Sequence, residues 1–413
     1  MWIRVRLDIG WIDLMTAIAF CVQPGKRSAA IQQANQAWSP RDDFLVTLSV
    51  RSAFDLLLRA LKFPPGSEII FSALTVPDMV RIARSHGLIP VPADVDQQGT
   101  ICPDSLRSCL TPQTRMIVVA HLFGGQTLLD DILKIAREHQ LLVVEDCAQS
   151  FQQAGEQGHE ASDIAMFSFG PIKTATALGG AVVRISSPEL CSRMKSILQT
   201  DPVQPCRSFA KRVIRFAVLK ALTGRRAAAM FKSGCRWFGL DFDGLANASA
   251  RGFTGSDFRS QIRRQPSTAL LRLLARRWKK YDYNRIDRRK QLGRSLDERI
   301  GNQHPPVHSY WVYPIFVTEK SGLCERLSSA GFDATGLSRM TVVSPTEPAN
   351  IPVGAQNHWD KVLFLPWYPE LTDDALEKMS AIIAGHKRLV EPGNDQPVKQ
   401  IDTGSPTENL ARG

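Results

Sequence analysis

The sequence predicts an α/β fold, a mostly parallel sheet flanked by helices with a smaller C-terminal α+β unit behind it. Three observations predict this. Short apolar runs recur at intervals between residues 45 and 185. Stretches with helical spacing separate several of them. A second strand-and-helix series starts near residue 295, after a heavily charged stretch.

The runs are Leu45–Leu48, Glu68–Phe71, Leu88–Val91, Met116–Ala120, Leu141–Glu145, Ile164–Phe169 and Ala181–Ile185. Each is short and almost wholly apolar, the pattern of a strand buried on both faces. Leu128–Gln140 has the spacing of an intervening helix, and strand–helix alternation implies a parallel sheet. These runs place a large domain at residues 45–250, behind an N-terminal segment at 1–44. Its opening, MWIRVRLDIGWIDLMTAIAFCV, faintly resembles a signal peptide, but Asp8 and Asp13 interrupt the apolar run and no small-residue cleavage site is clear.

Residues 206–250 form an apolar and basic insertion that reads as two short helices around Gly224. Residues 251–294 form a linking helical region, with one helix-like stretch at Ser267–Arg294. The small C-terminal domain occupies residues 295–390, with a strand at Tyr310–Val317, a helix around Leu323–Ala330, the segment LFLPWYP and a final helix at Thr372–His386. The tail, 391–413, is rich in Pro, Gly, Asn and Asp and reads as disordered.

Composition bounds the function. With 413 residues, 44% hydrophobic and 22% charged, the chain is ordinary for a soluble globular protein of about two domains. No run of 18 apolar residues suggests a spanning helix. The formal charge of +11 is concentrated, since residues 206–300 hold 24 Lys or Arg against 7 Asp or Glu. No zinc-finger, RNA-binding or helix-turn-helix pattern accompanies that charge, which argues against nucleic acid. Residues 206–240 carry nine basic residues and no acid, so they read either as a surface insertion or as an interfacial helix on anionic lipid. The eight cysteines are scattered without a CxxC pair, so no metal site or disulfide framework is expected, and free thiols suit a cytoplasm.

Two segments carry chemistry. LLVVEDCAQS, residues 141–150, ends a buried-type strand in two carboxylates. Ligands of open parallel sheets sit beyond the carboxyl ends of the strands. There Asp146 could meet a ribose hydroxyl, a metal or a ring N–H⁺, or simply cap the strand. DIAMFSFGPIKTATALGGAVV, residues 163–183, sets Lys173 in a loop between apolar strands. A desolvated lysine amine near other cations loses basicity and can form a Schiff base, although most loop lysines are merely solvated. Ser168 could donate its hydroxyl to a phosphate, and Gly179 and Gly180 allow a tight turn or a close backbone approach.

Together, EDxAQ, SFxxxK and the following GG resemble the DegT-type family of sugar aminotransferases, which depend on pyridoxal 5'-phosphate (PLP) and have the fold type I, aspartate-aminotransferase-like architecture. The resemblance covers most of residues 45–200 and resumes from about 250 to 388, with GSDFR at 255–259 and LPWYPELTDDALEKM at 365–379 as later marks. It implies that Lys173 carries the cofactor as an imine and shuttles protons. Asp146 would keep the pyridinium nitrogen protonated, so that the ring acts as an electron sink. Gln149 would hydrogen-bond the ring 3-hydroxyl, Ala148 would lie against a ring face, and Ser168 would hold the phosphate. Further phosphate contacts would come from Val50, Arg51 and Ser52 at the start of the first domain helix, where free N–H groups and the dipole favour an anion. Fold-type I sites form between subunits, so the resemblance also implies a homodimer.

The chain departs from the family pattern in several places. Ser49-Val50-Arg51-Ser52 replaces Ser-Gly-Thr, with Arg51 or Ser52 as substitutes for the lost hydroxyl, and Ser52 alone would also suit a helix cap. Val76 follows Thr75 where a stacking aromatic is usual. Asp257 stands where an Asn reaches the partner's phosphate, which leaves Arg259 as a substitute. The loop from Lys173 to the glycine pair is one residue short. His121, at a strand end, reads as pocket architecture.

The expected reaction moves an amino group from an amino acid, glutamate first, to a keto-sugar, nucleotide-linked, in polysaccharide or envelope biosynthesis. The alternatives are another PLP reaction such as a lyase, or a catalytically silent or membrane-associated regulator. Ile172 before the lysine disfavours a desulfurase, and the intact lysine disfavours a sugar dehydratase.

Overall fold

A computed structural model describes residues 1–4, 6–222, 257–336, 340–345 and 351–386, and elements are numbered in chain order over these residues. The chain opens with α1 (Trp11–Val22) and α2 (Arg27–Trp38), then runs through β1 (Phe44–Thr47), α3 (Val50–Leu61), β2 (Glu68–Ser72), β3 (Leu74–Thr75), α4 (Pro77–Ser85) and β4 (Ile89–Ala93). There follow α5 (Pro103–Ser108), β5 (Thr114–Ala120), α6 (Asp130–Glu138), β6 (Leu142–Asp146), β7 (Ile164–Ser168), β8 (Ala181–Ile185), α7 (Pro188–Thr200) and α8 (Cys206–Leu222). Past residue 256 come α9 (Phe258–Ile262), α10 (Thr268–Lys280), α11 (Asn284–Ile300), β9 (Tyr313–Phe316), α12 (Lys320–Ser329), β10 (Thr341–Val342), α13 (Val353–Lys361), β11 (Val362–Leu365) and α14 (Asp373–Ala384).

All seven apolar runs are strands of one seven-stranded sheet in the order β1-β8-β7-β6-β5-β2-β4. β4, β2, β5, β6 and β7 pair in parallel, while β8 runs antiparallel to both β7 and β1. The strand centres are apolar on both faces because both faces are covered. Phe71, Val118 and Val144 pack with Phe54 and Leu57 of α3 on one face. Their neighbours Ile70, Ile117 and Val143 pack with Ile132 and Ile135 of α6 on the other.

A third core lies where β7 and β8 meet the helices. Phe167, Phe169 and Val182 pack there with Trp38 of α2, with Phe209, Val213 and Phe216 of α8, and with Leu270, Leu274 and Trp278 of α10. The apolar side of α8 recurs at helical spacing and is spent on this core. The N-terminal segment is therefore built into the body. Its first residues reach further still, because Trp2 bridges to Phe332 and joins the core that α11, α12 and α14 form around β9 and β11.

Two expectations need correction. Ser267–Arg294 is two helices, because the backbone turns extended at Tyr281, whose hydroxyl is drawn to Asp8. The basic insertion begins as one uninterrupted 17-residue helix, α8, rather than a short one. Its continuation from 223 to 250, including the second expected helix, lies outside the described residues, as do Gly255, Ser256 and the tail from 391.

Candidate functional site

The site lies at the carboxyl ends of β6 and β7 and at the start of α3. Asp146 is the last residue of β6, is buried, and accepts a 3.0 Å hydrogen bond from the Ala148 N–H. Burial pushes its carboxyl above the ordinary range, opposed by that N–H and by the positive charges of Lys173, His121 and Arg51. A carboxylate so placed gains from a further cation or N–H⁺. Ala148 is half-buried beside it.

Lys173 sits in the loop between β7 and β8, its N–H donating to the Gly170 carbonyl at 3.0 Å. Its Nζ lies 3.9 Å from the centroid of the Trp311 ring, within cation–π range. The Trp311 indole N–H in turn donates to the Ile172 carbonyl at 2.9 Å. The loop is held from several directions. Asp8 accepts the Ala175 N–H at 3.0 Å, Arg277 donates to the Thr176 carbonyl at 3.0 Å, and Arg289 donates to the Thr174 hydroxyl at 3.1 Å. Such fastening is needed because Ala175 and Leu178 are left-handed, with φ of 52° and 62°. Gly180 ends the loop at φ +87, where a Cβ would stand 2.6 Å from Leu274.

Asp8 is the hub of this fastening. It also accepts from the Tyr281 hydroxyl at 2.6 Å and from Arg285 Nε at 3.1 Å, with Arg289 3.6 Å away. Burial works to raise its carboxyl, but Arg289, Arg285, Tyr281 and the Ala175 N–H outweigh it and hold the group below the usual range.

On the opposite side, Gln149 Oε1 accepts the Phe123 N–H at 2.8 Å, which fixes the amide orientation. Phe123 belongs to the HLFGG loop. His121 Nε2 pairs with buried Glu145 at 2.9 Å, and its Nδ1 accepts the Thr127 N–H at 3.0 Å. The ring is thus held at both nitrogens. His121, Glu145 and Cys147 bring their ligand atoms within 4.8 Å of one another, but Glu145 is already bonded to His121, the His159 N–H and the Ser162 hydroxyl. These residues brace the strand that carries Asp146.

Three of the residues expected to meet a phosphate, Val50, Arg51 and Ser52, lie at the start of α3. The helix cap is Ser49, which accepts from the Ser52 N–H at 3.1 Å, while the two hydroxyls lie 3.0 Å apart. Ser52 is therefore one turn into the helix and is not itself the cap. Val50 and Arg51 occupy the first helical positions, whose N–H groups have no intrahelical partner. The Arg51 guanidinium is paired with Asp78, at the start of α4. Ser168 closes β7, and its hydroxyl is 3.4 Å from the Gly170 N–H. Asp257 and Arg259 bond elsewhere, Asp257 to the Ser260 hydroxyl and Arg259 to the Ser85 carbonyl.

One further cation stands here. Arg212 of α8 brings a guanidinium nitrogen 3.7 Å from where a Cβ on Gly179 would sit, and its buried Nε has no hydrogen-bond partner. Burial lowers it to about 10, and the charges of Arg215 and Arg51 add to the effect.

Residues 19–213 match the family model described as the DegT/DnrJ/EryC1/StrS aminotransferase family. This stretch, a little under half of the chain, is similar to that family. Within it lie Val50, Arg51, Ser52, Asp146, Ala148, Gln149, Ser168 and Lys173. Among curated relatives, the chain is 30% identical over 168 residues to a GDP-perosamine synthase of Caulobacter vibrioides, which is 40% of this chain and 45% of that protein. It is 33% identical over 149 residues to a UDP-N-acetyl-3-dehydro-alpha-D-glucosamine 3-aminotransferase of Acidithiobacillus ferrooxidans, 35% of this chain and 40% of the relative. The aligned region thus spans under half of either relative.

Likeness of fold extends further. An aminotransferase structure from Psychrobacter cryohalolentis superposes with a TM-score of 0.67 at 17% identity, covering 92% of this chain and 97% of the other. The aminotransferase TlmJ from Streptoalloteichus hindustanus gives 0.66 at 18%, covering 93% and 98%. The chain therefore shares the fold of these two aminotransferase structures well beyond the family-matched stretch. Asp8, Arg289 and Trp311, which fall outside that stretch, escaped the sequence reading. Asp8 left a trace there, as an acid breaking an apolar run. Trp311 left none, because a tryptophan beside a strand usually marks core.

Proposed function

We propose that the chain is a PLP-dependent aminotransferase that takes an amino group from an amino acid, glutamate first, and delivers it to a nucleotide-linked keto-sugar in polysaccharide or envelope biosynthesis. The observation that carries this reading is a buried carboxylate ending β6, Asp146, within electrostatic reach of a lysine on the next strand's loop, Lys173. The names of the two curated relatives support the acceptor class.

The donor set suits PLP. Asp146 is raised by burial and lacks a full counter-charge, so a ring N–H⁺ placed against it would be held protonated. When bound, the cofactor supplies an electron sink for carbanions. The chain supplies the rest. Lys173 offers its amine for covalent attachment and carries a proton at Nζ. Gln149, fixed by Phe123, presents its amide to a ring oxygen. Ala148 bounds one face of the space above Asp146. Ser168 and the Val50 and Arg51 N–H groups receive a phosphate at the positive end of α3.

The decisive experiment is borohydride reduction in the presence of PLP, followed by peptide mass mapping. A tag on Lys173, absent from K173A and much reduced in D146A, is expected. A tag elsewhere, or none, would refute the assignment. Glutamate added to the loaded protein should bleach the visible absorbance, and no change with any amino donor would refute the transaminase reading.

Three finer points belong to the same proposal. The protein works as a homodimer in the cytoplasm, and a monomer by light scattering would refute the first. The seven described cysteines are all free thiols, which favours a reducing compartment. The 206–240 region makes a peripheral contact with an anionic membrane through the outer face of α8, where Ile214 and Val218 are more than half exposed beside Arg207, Lys211 and Arg215. No helix among the described residues is long and apolar enough to cross a membrane. Flotation with vesicles containing anionic lipid is expected, and failure to float would refute the contact.

A further inference from the structure

We propose that Arg212, on the basic helix α8, is a phosphate-binding residue of this site, taking over the contact that the hydroxyl-poor turn Ser49-Val50-Arg51 cannot make. The inference rests on the reading above for the identity of the ligand, but on geometry for its place. Gly179 is bonded through its N–H to the Phe169 carbonyl, at the end of the strand that carries Ser168. Its neighbour Gly180 donates to the Leu48 carbonyl at 2.9 Å, one residue before the cap of α3. The Arg212 guanidinium, beside Gly179, therefore lies at the turn that ties these two elements together.

Charge points the same way. Arg212 feels Arg51 and Arg215 as repulsive neighbours, and among the described residues it forms no ion pair with a carboxylate. Its Nε is sealed from solvent and unbonded. By contrast, the other buried arginines near the loop are answered, Arg277 by Asp13 and Arg289 by Asp8. A guanidinium without a carboxylate partner of its own, beside a helix N-terminus and two further arginines, suits a phosphate group and destabilises the protein without one. A Cβ at Gly179 would lie in ordinary contact with Leu270 and with the Arg212 guanidinium, 3.5 and 3.7 Å away, which places that guanidinium beside this turn.

The phosphate could be the monoester of PLP or the diphosphate of a nucleotide-linked acceptor, and the test separates them. Cofactor-free wild type, R212Q, R212M and R212K are titrated with PLP, with pyridoxal, with UDP and with inorganic phosphate. If Arg212 grips the cofactor, R212Q weakens PLP by about 10- to 100-fold while pyridoxal is unchanged, and R212K recovers part of the loss. If it grips the acceptor, the PLP-to-pyridoxal ratio holds and UDP weakens by a similar factor. If neither ratio moves, the inference is overturned. R212M guards against a folding artefact. Removing an unanswered buried cation should raise the melting temperature of the ligand-free protein while weakening the phosphate ligand. A lowered melting temperature with unchanged ligand ratios marks a packing role and also overturns the inference. Should wild type bind neither PLP nor pyridoxal, the cofactor reading fails. The thermal protection given by inorganic phosphate then decides Arg212 by itself. Protection lost in R212Q supports the site, and protection that is equal or absent in both refutes it.

Discussion

Removing the Asp8 carboxylate should damage the Lys173 loop from far away in sequence. Asp8 receives the Ala175 N–H at 3.0 Å, the Tyr281 hydroxyl at 2.6 Å and Arg285 Nε at 3.1 Å, and stands 3.6 Å from Arg289. Its side chain and that of Arg289 are nearly sealed, at 9% and 6% exposure, whereas Arg285 is 30% exposed and its share is screened. D8A thus leaves one buried guanidinium unanswered and one buried N–H unpaired, which costs about 3–5 kcal/mol. D8N keeps the shape and one acceptor, and should cost about 1–3 kcal/mol. Urea unfolding at neutral pH measures both, and hydrogen exchange over residues 172–178 shows whether the loss is local. The pH dependence has a definite sign. The Asp8 carboxyl is held below its ordinary value of 3.8, so its contribution is complete above that value and is lost as pH falls through the lower folded value. The gap between wild type and D8N should therefore be flat from neutrality down to about pH 5 and close only in stronger acid. A D8A protein within about 1 kcal/mol of wild type, with unchanged exchange in the loop, would refute the claim that Asp8 holds it.

Three other outcomes are expected. H121F strands the buried Glu145 carboxylate, which burial raises but His121, Ser162 and the His159 N–H together hold low; it should cost about 3–5 kcal/mol in urea unfolding, and a neutral result would show that the remaining donors suffice. Burial pushes Glu156 up to about 7, so the folded state takes up a proton and stability falls as pH rises from 4.5 towards that value; E156Q should therefore outlast wild type in thermal melts at pH 8 and lose its advantage below about pH 4.5. G124A faces a φ of +111° and a Cβ placed 2.7 Å from the Trp311 backbone nitrogen, so it should cost about 1–3 kcal/mol and speed hydrogen exchange at residues 307–312, and unchanged exchange would count against this docking of the two segments.

The sheet was legible because each strand is buried on both faces and so is written as a short, mostly apolar run. The strand end that places Asp146, and the loop that places Lys173, were legible for the same reason, as Asp146 follows directly on such a run and Lys173 stands a few residues past another. Less visible were features set by distant pairing. The break at Tyr281 lies within a continuous helical pattern and comes from a hydroxyl drawn to Asp8, 273 residues away. At the start of α3, the residue types Ser49 and Ser52 left open which one caps, and the geometry gives that role to Ser49. Arg51, expected to face a phosphate, is engaged with Asp78 across a loop whose course composition does not dictate.

These long-range contacts share a direction. The carboxylate and the lysine lie on neighbouring strands within the family-matched stretch, residues 19–213. Part of what fixes the lysine's loop comes from outside it, from Asp8 before, and from Arg277, Arg289 and Trp311 after. A loop with two left-handed non-glycine residues holds its shape only if its surroundings over-determine it. In this chain those contacts draw the first residues, two arginine-bearing helices and the approach to β9 into the site. Its geometry then depends on the folding of nearly the whole chain, which explains why Asp8 lies so deep in a segment whose sequence faintly resembles a leader.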